Sequence, residues 1–282
     1  MAPEFSLAHL TLLSCAPSEL VEVAAQAGYQ YVSLRPIAVT PNEPKYPLGE
    51  DKELFARTRR KLVDTGVRLL DIELARILPN MDVRSYEPAL AAAAELGGRF
   101  LLSSGWAPDH RYTAEKFAEL CDLARPYGLT VCFEFVTFAS VTNLAQASQI
   151  VQGAGRPNGA ICIDTLHFAR SNCSLAELDT LPKSLFPFIQ ICDAPAKVPD
   201  TREGLIFAAR ADRKFVGDGE LPIAEILNRL PQVPYSIEVP NQALSLQLSP
   251  VEFARQALTH AGAYLQDHPR QEDRSCGKRF AS

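Results

Sequence analysis

Short apolar runs and amphipathic segments alternate eight times along this chain, with roughly thirty residues, the length of one βα unit, between most successive runs. Most of the runs are continuously apolar, as expected for parallel strands that are covered on both faces. Residues typical of helix ends bound several intervening segments, such as Ser18 and Gly28 around the first one. The alternation therefore predicts eight βα units. The strand candidates span residues 5–10, 31–35, 67–73, 99–104, 130–135, 159–164, 186–193 and 235–239.

Eight such units predict a single (β/α)₈ TIM barrel, an α/β fold. A doubly wound open sheet is the competing architecture. The count of eight favours the barrel, and no glycine-rich phosphate fingerprint follows the first strand candidate. Since no linker or shift of composition divides the chain, we expect one domain over residues 1–266. The charged segment 267–282 lacks apolar periodicity and is expected to be a flexible tail.

The composition argues against several classes of function. With 282 residues, 47% hydrophobic and 22% charged, the chain is typical of a globular protein. The net charge of -5 argues against a nucleic-acid partner, because phosphate contacts need an excess of Lys and Arg. Neither a membrane span nor a signal peptide is expected. Seven cysteines, an odd number without C-x-x-C spacing, predict no disulfide framework and favour the reducing cytoplasm.

Four acidic or amide residues lie at the ends of the last four strand candidates. The C-terminal ends of all strands in such a barrel meet at one mouth. A buried carboxylate is costly unless it is paired or bound to a metal. Three carboxylates and an amide offer hard oxygen ligands, which suit Mg²⁺ or Mn²⁺ better than Zn²⁺. Separate strand-end salt bridges are the alternative. The predicted metal ligands are Glu134, Asp164, Gln190 and Glu238.

Other reactive side chains fall near the same mouth. His167 lies three residues after Asp164 and is predicted to act in acid–base chemistry or in substrate orientation. Arg210, in the long connection 196–220, either holds a carboxylate or phosphate group or is a solvated charge. Asp193 either orients a metal ligand or serves as a turn residue. The predicted substrate-binding set also contains Arg35, Glu73 and Trp106, which follow or end strands two to four.

These motifs resemble the xylose-isomerase-like TIM-barrel superfamily, the sugar phosphate isomerase/epimerase group, from residue 5 to about residue 264. The resemblance rests on the glutamate of FEF, the D-T-x-H of IDTLHF, the segment QICDAP, the turn GDGELP and the E-V at strand eight. It implies one divalent metal on a Glu, Asp, His, Glu set, with Gln190 in place of the histidine. It also implies roles for His167 and for a loop arginine, which we match to Arg210.

The resemblance implies an enzyme that isomerises or epimerises a small keto sugar or polyhydroxy keto acid through an enediolate. Glu134 and Glu238 would remove and return the proton. Gln190 departs from the usual histidine and resembles a bacterial 3-dehydroshikimate dehydratase branch, so a lyase, either a dehydratase or a decarboxylase, is the alternative.

A non-catalytic sugar- or metal-binding barrel is the third interpretation of the resemblance. Superfamily members that cut DNA need many histidine ligands, and with five histidines and a negative net charge this chain is not expected to be one. The expected partner is a small molecule, with a homo-oligomer possible.

Overall fold

Eight parallel strands close into one barrel in the computed structural model, which describes residues 2–270. Each strand pairs with the next in sequence, and the last pairs with the first through Ser236 and Ser6. The predicted (β/α)₈ barrel is thereby confirmed. The strands are β1 (Phe5–Leu7), β2 (Tyr31–Leu34), β3 (Arg68–Ile77), β4 (Phe100–Gly105), β5 (Thr130–Glu134), β6 (Gly159–Asp164), β7 (Ile189–Ile191) and β8 (Tyr235–Ile237).

Helices follow the strands and cover the outside of the barrel. They are α1 (Pro17–Ala27), α2 (Lys52–Thr65), α3 (Glu87–Glu95), α4 (His110–Ala124), α5 (Leu144–Ala154), α6 (Thr165–Arg170), α7 (Leu175–Asp179), α8 (Arg202–Ala211), α9 (Ile223–Asn228), α10 (Gln242–Ser245) and α11 (Pro250–Asp267), with 3₁₀ turns at His9–Leu12, Val83–Tyr86, Arg125–Tyr127 and Lys183–Leu185. Local chemistry sets several ends. The Asp51 carboxylate accepts two backbone N–H groups at the start of α2, and Gly66 ends that helix in the left-handed conformation.

The apolar residues form two packed groups. The larger lies between the strands and the helices. The smaller fills the barrel interior and includes Phe100 and Phe188, whose rings stack with centroids 5.3 Å apart. Cys132 and Cys162 belong to this interior group, as expected for small buried residues. Because apolar side chains fill the barrel interior, the polar residues at the strand ends lie above a packed apolar layer.

The connection after β7 differs from the sequence expectation. Residues 196–220 were expected to be a loop, but they contain α8, which begins where the Thr201 hydroxyl accepts the N–H of Gly204. The helix buries Ala208 and Ala209 and leaves Phe207 exposed. Its amphipathic pattern is short and lies within a charged stretch, so the sequence does not distinguish it from a loop. The helix carries Arg210 towards the mouth on a regular backbone.

The described part of the chain ends shortly after α11. Asp267 ends α11, and Arg270 donates to the carbonyl of Pro231 and to the Tyr235 hydroxyl. Positions 271–282 of the expected tail lie outside the described residues. Among residues 2–270, no helix is long and apolar enough to span a membrane.

Candidate active site

The strand register brings the four predicted metal ligands to one side of the mouth. Asp164 of β6 pairs with Gln190 of β7. Glu134 pairs with Cys162, two residues before Asp164, and Gln190 pairs with Ser236, two residues before Glu238. Successive side chains of a strand alternate between its faces, so all four project into the barrel. All four are buried.

Arg213 lies among these side chains and was not identified from the sequence. Its Nη1 is 2.6 Å from Oδ2 of Asp164, and its Nη2 is 2.9 Å from Oε2 of Glu238. Its Nε donates to the carbonyl of Ala209, and the residue is only 2% exposed. One guanidinium therefore bridges two of the predicted ligands and neutralises part of their charge.

Asp193 explains how Arg213 reaches the centre. Its backbone exchanges two hydrogen bonds with Lys214, which fixes the segment beside the end of β7. Its carboxylate accepts the N–H groups of Ala194, Leu221 and Gly217. Of the two roles considered for Asp193, orienting a metal ligand or stabilising a turn, its contacts are those of a turn residue. Arg213 lies four residues before Gly217, the first residue of the G-D-G-E turn. Arg210 also precedes this turn, so the sequence alone does not show which of the two arginines reaches the site.

The remaining contacts of the ligand set are short and internal. Oδ1 of Asp164 accepts the backbone N–H of His167 at 3.0 Å. Oε1 of Glu238 accepts from the Gln190 amide at 3.2 Å, and the Gln190 carbonyl lies 3.5 Å from the Cys162 sulfur. Asp164 and Glu238 therefore each give one oxygen to Arg213 and the other to a neighbouring N–H group.

Burial and nearby charges shift the pKa values of the three carboxyl groups in different directions. Burial and then the nearby Asp164 raise the pKa of Glu134 well above its ordinary value. Burial raises the pKa of Glu238 to about 7 although Arg213 opposes the shift. Burial also opposes ionisation of Asp164, but Arg213 and His167 outweigh it and hold that pKa below its ordinary value. Asp164 is the carboxylate best stabilised by Arg213.

The donor chemistry of this set fits a hard divalent cation. Three carboxylates and an amide oxygen are the ligands that Mg²⁺ and Mn²⁺ prefer. Within residues 2–270, no three His, Cys, Asp or Glu side chains are already spaced around an ion. Arg213 pairs with one oxygen of Asp164 and one of Glu238, and their other oxygens accept from neighbouring N–H groups, whereas the Glu134 carboxylate has no hydrogen bond within residues 2–270. A half-turn of the Gln190 amide would place its oxygen where its Nε2 now donates to Glu238.

The opposite side of the mouth is an internally paired group. Nη2 of Arg35 lies 2.8 Å from Oε2 of Glu73, and both residues are buried. The backbone N–H of Arg35 donates to Nδ1 of His9 at 2.8 Å, and Nε2 of His9 bonds the carbonyl of Cys15. The predicted residues Arg35 and Glu73 thus reach the mouth as an ion pair. His9, which orients them, carried no signal in the sequence.

His167 and an aromatic wall complete the cavity. The N–H of Thr137 donates to Nδ1 of His167, 3.4 Å away, so the neutral ring carries its proton on Nε2. Burial lowers the pKa of His167 to about 4, which keeps the ring neutral. The Phe138 ring lies edge-on to it at 5.7 Å, and Trp106 contacts Phe138 from the other side. Arg76 covers the Trp106 ring.

All the predicted substrate-binding side chains line one small cavity. Its volume, including the part open to solvent, is about 430 Å³. The predicted residues on its wall are Arg35, Glu73, Trp106, Glu134, His167, Arg210 and Glu238. Arg213 lines the same cavity, whereas Asp164 and Gln190 lie just below it. The tertiary structure brings together residues that the sequence identified separately.

The chain belongs to the xylose isomerase-like TIM barrel family, whose model matches residues 21–266. It is similar to the inosose isomerase of Bacillus velezensis, with 22% identity over 252 residues and 83% of each chain covered. The inosose isomerase of Halalkalibacterium halodurans is 29% identical over 231 residues, covering 77% of this chain and 78% of the relative.

Solved structures share the fold. The crystal structure of the IolI protein with a bound zinc atom has a TM-score of 0.79 at 17% identity and covers 94% of this chain and 99% of its own. L-ribulose 3-epimerase has a TM-score of 0.68 at 18% identity and covers 100% and 99%. At these identities the likeness establishes the barrel.

Proposed function

We propose that the protein is a divalent-metal-dependent isomerase or epimerase that acts on a small polyhydroxy ketone through an enediolate. The convergence of Glu134 and Glu238 on one cavity wall, with Asp164 and Gln190 buried beside them, carries the proposal. Moving a proton at the carbon beside a carbonyl requires a base, an acid and stabilisation of the developing oxyanion. The inosose isomerases among the relatives are named for a ketone of this class.

Glu134 is our candidate for the proton-transferring base. Its side chain lines the cavity, and within residues 2–270 it makes no hydrogen bond or ion pair. Glu238, by contrast, is held by Arg213 and Gln190. We expect Glu134 to face one side of a bound ketone and Glu238 the other. Two carboxylates on opposite faces are suited to removing the proton from one face and returning it to the other.

Glu134, Asp164, Gln190 and Glu238 would hold the proposed cation, while Arg213 pairs with one oxygen of Asp164 and one of Glu238. A bound Mg²⁺ or Mn²⁺ would polarise the ketone carbonyl and stabilise negative charge on its oxygen. Arg213 would fix both acids as single-oxygen ligands.

His167 is suited to donating a hydrogen bond. Because its Nδ1 accepts from Thr137, its Nε2–H is the free ring group. We propose that it orients a substrate hydroxyl. Trp106 and Phe138 supply an apolar wall, and the Arg35–Glu73 pair faces the substrate from across the mouth.

A lyase is the second candidate function, and the donor at His167 favours it. The Nε2–H of His167 can hydrogen-bond a departing β-hydroxyl, and the proton that Glu134 removes from the α-carbon can pass to that hydroxyl, so that water leaves and the same enediolate chemistry becomes a dehydration. Gln190, in place of the family's usual histidine, supports this alternative.

The two functions are separated by incubating the protein with Mn²⁺, Mg²⁺ or Zn²⁺ and three ketones in D₂O. The ketones are scyllo-inosose, D-allulose and 3-dehydroshikimate. Deuterium in recovered, intact ketone or in its isomer, seen by mass spectrometry and NMR, supports the isomerase. Loss of water with a new ultraviolet chromophore supports the lyase. Neither product with any metal would contradict both.

A further inference from the structure

We infer that the substrate carries a carboxylate, which Arg210 binds at the rim of the mouth. The inference rests on the proposed function and specifies its substrate class. The relatives' names refer to uncharged ketones: inosose, D-allulose and L-ribulose. The arginine chemistry of this mouth points to an anionic polyhydroxy keto acid instead.

Three arginines line the cavity, and two of them are neutralised within the protein. Arg35 is paired with Glu73 at 2.8 Å. Arg213 is paired with Asp164 and Glu238. Both guanidinium charges are therefore offset by buried acidic side chains, although Nε of Arg35 has no hydrogen-bond partner within the described residues.

Arg210 is the third, and its charge is not paired. It is half-buried in the last turn of α8, and among residues 2–270 no carboxylate oxygen lies within 4.0 Å of its guanidinium nitrogens. It makes no hydrogen bond within the same residues. A partly desolvated guanidinium without a partner is costly, and a ligand anion offsets that cost.

The surroundings of Arg210 make the cost larger. Burial and then the like charge of Arg35 lower the pKa of Arg210, although Glu43, Glu238 and Glu134 oppose the shift. The side chain nevertheless belongs to a helix and lines the cavity together with the two paired arginines and Trp106. A surface charge with no role would extend into water, where its hydration is complete. Its position in the cavity indicates a ligand group of opposite charge.

A carboxylate fits this position better than a phosphate. Arg210 lies in the last turn of α8, where the negative end of the helix dipole stabilises the guanidinium and disfavours a dianion more than a monoanion. A planar guanidinium binds a carboxylate with two parallel hydrogen bonds.

Calorimetry with three ketone probes in the presence of Mn²⁺ tests the inference. The probes are 3-dehydroquinate, a ring ketone with a carboxylate; scyllo-inosose, a neutral ring ketone; and D-fructose 6-phosphate. Arg210→Met is expected to weaken 3-dehydroquinate binding about 10- to 100-fold, the usual range for a lost charged hydrogen bond, and to leave scyllo-inosose unchanged. Arg210→Lys should fall between. Arg59→Met, an exposed α2 residue, is the matched control.

Four results would overturn the inference: no binding of the acid to the wild type, equal affinity for the acid and scyllo-inosose, an unchanged affinity in Arg210→Met, or tighter Arg210-dependent binding of the phosphate. The proposed function fails separately. If the acid binds through Arg210 but no ketone exchanges a proton or loses water, the carboxylate site stands without the activity. If scyllo-inosose is isomerised and Arg210 is irrelevant, the activity stands without the carboxylate site.

Discussion

Nη1 of Arg213 lies 2.6 Å from Oδ2 of Asp164, and both side chains are buried at the barrel mouth. The same guanidinium reaches Glu238. This bridge joins the ends of β6 and β8 across β7. It makes the acidic half of the mouth stable before any ligand arrives, because one internal cation offsets charges that would otherwise repel each other.

Removal of Arg213 should strongly destabilise the fold. Arg213→Met leaves two buried carboxylates without a counter-charge, and breaking a buried pair costs about 3–5 kcal/mol. Urea unfolding measures the loss. Arg213→Lys keeps the charge but not the two-armed geometry, so its loss should be smaller.

Mn²⁺ provides a second readout for the same residue. We expect it to raise the melting temperature of Arg213→Lys more than that of the wild type, because added positive charge restores the lost compensation. Wild-type stability in both variants, or an equal metal effect, would show that the bridge is unimportant.

Glu134→Gln should abolish turnover and leave the fold intact. The amide has the same shape but does not accept a proton, and general-base catalysis contributes about 10²–10⁴-fold to rate. Deuterium exchange into the ketone measures the effect. Because the Glu134 carboxylate makes no ion pair, the unfolding free energy of the Glu134→Gln variant should be equal to that of the wild type or slightly higher. Glu115→Gln on the exposed face of α4 is the control. Normal exchange by Glu134→Gln would remove it as the base.

His9 should make stability fall with acid. Burial lowers its pKa from 6.5 to about 4, so the unfolded chain binds the proton more readily between those values. Stability is therefore complete above pH 6.5 and decreases as pH falls towards 4, by up to about 3 kcal/mol from this group at 1.36 kcal/mol per unit.

His9→Asn isolates this contribution. The asparagine oxygen can accept the Arg35 N–H but does not titrate. The difference in unfolding free energy between the two proteins should change with pH over that window, as measured by urea unfolding at several pH values. A difference that is constant across the window would contradict the assignment.

Asp193→Asn should loosen the turn that carries Arg213. The carboxylate accepts three N–H groups, and an amide turns its own N–H₂ towards at least one of them. An unmade buried hydrogen bond costs about 1–3 kcal/mol. Hydrogen exchange over residues 214–221 should accelerate, with Asp218→Asn, an exposed neighbour, as the control. Unaltered exchange there would refute this role.

The candidate site could be predicted unevenly. Glu134, Asp164 and Glu238 were identifiable because each is a single acid at the end of an apolar strand, a pattern that the barrel topology converts into convergence. Arg213 was not identifiable, since it lies in a charged stretch with several arginines. Its place depends on the backbone pairing of Asp193 with Lys214, a contact between segments about twenty residues apart.

The sequence by itself determined the barrel, because apolar periodicity and helix-end residues are local and repeat eight times. It also determined which strand ends carry carboxylate and amide side chains. Only the tertiary structure decided how charge is shared among them. Ion pairing depends on distances between side chains from different units, so the same sequence pattern is compatible with a bare acidic cluster or with one bridged by Arg213. The geometry selected the second, and left Arg210 as the arginine whose charge is free for a ligand among the cavity residues described.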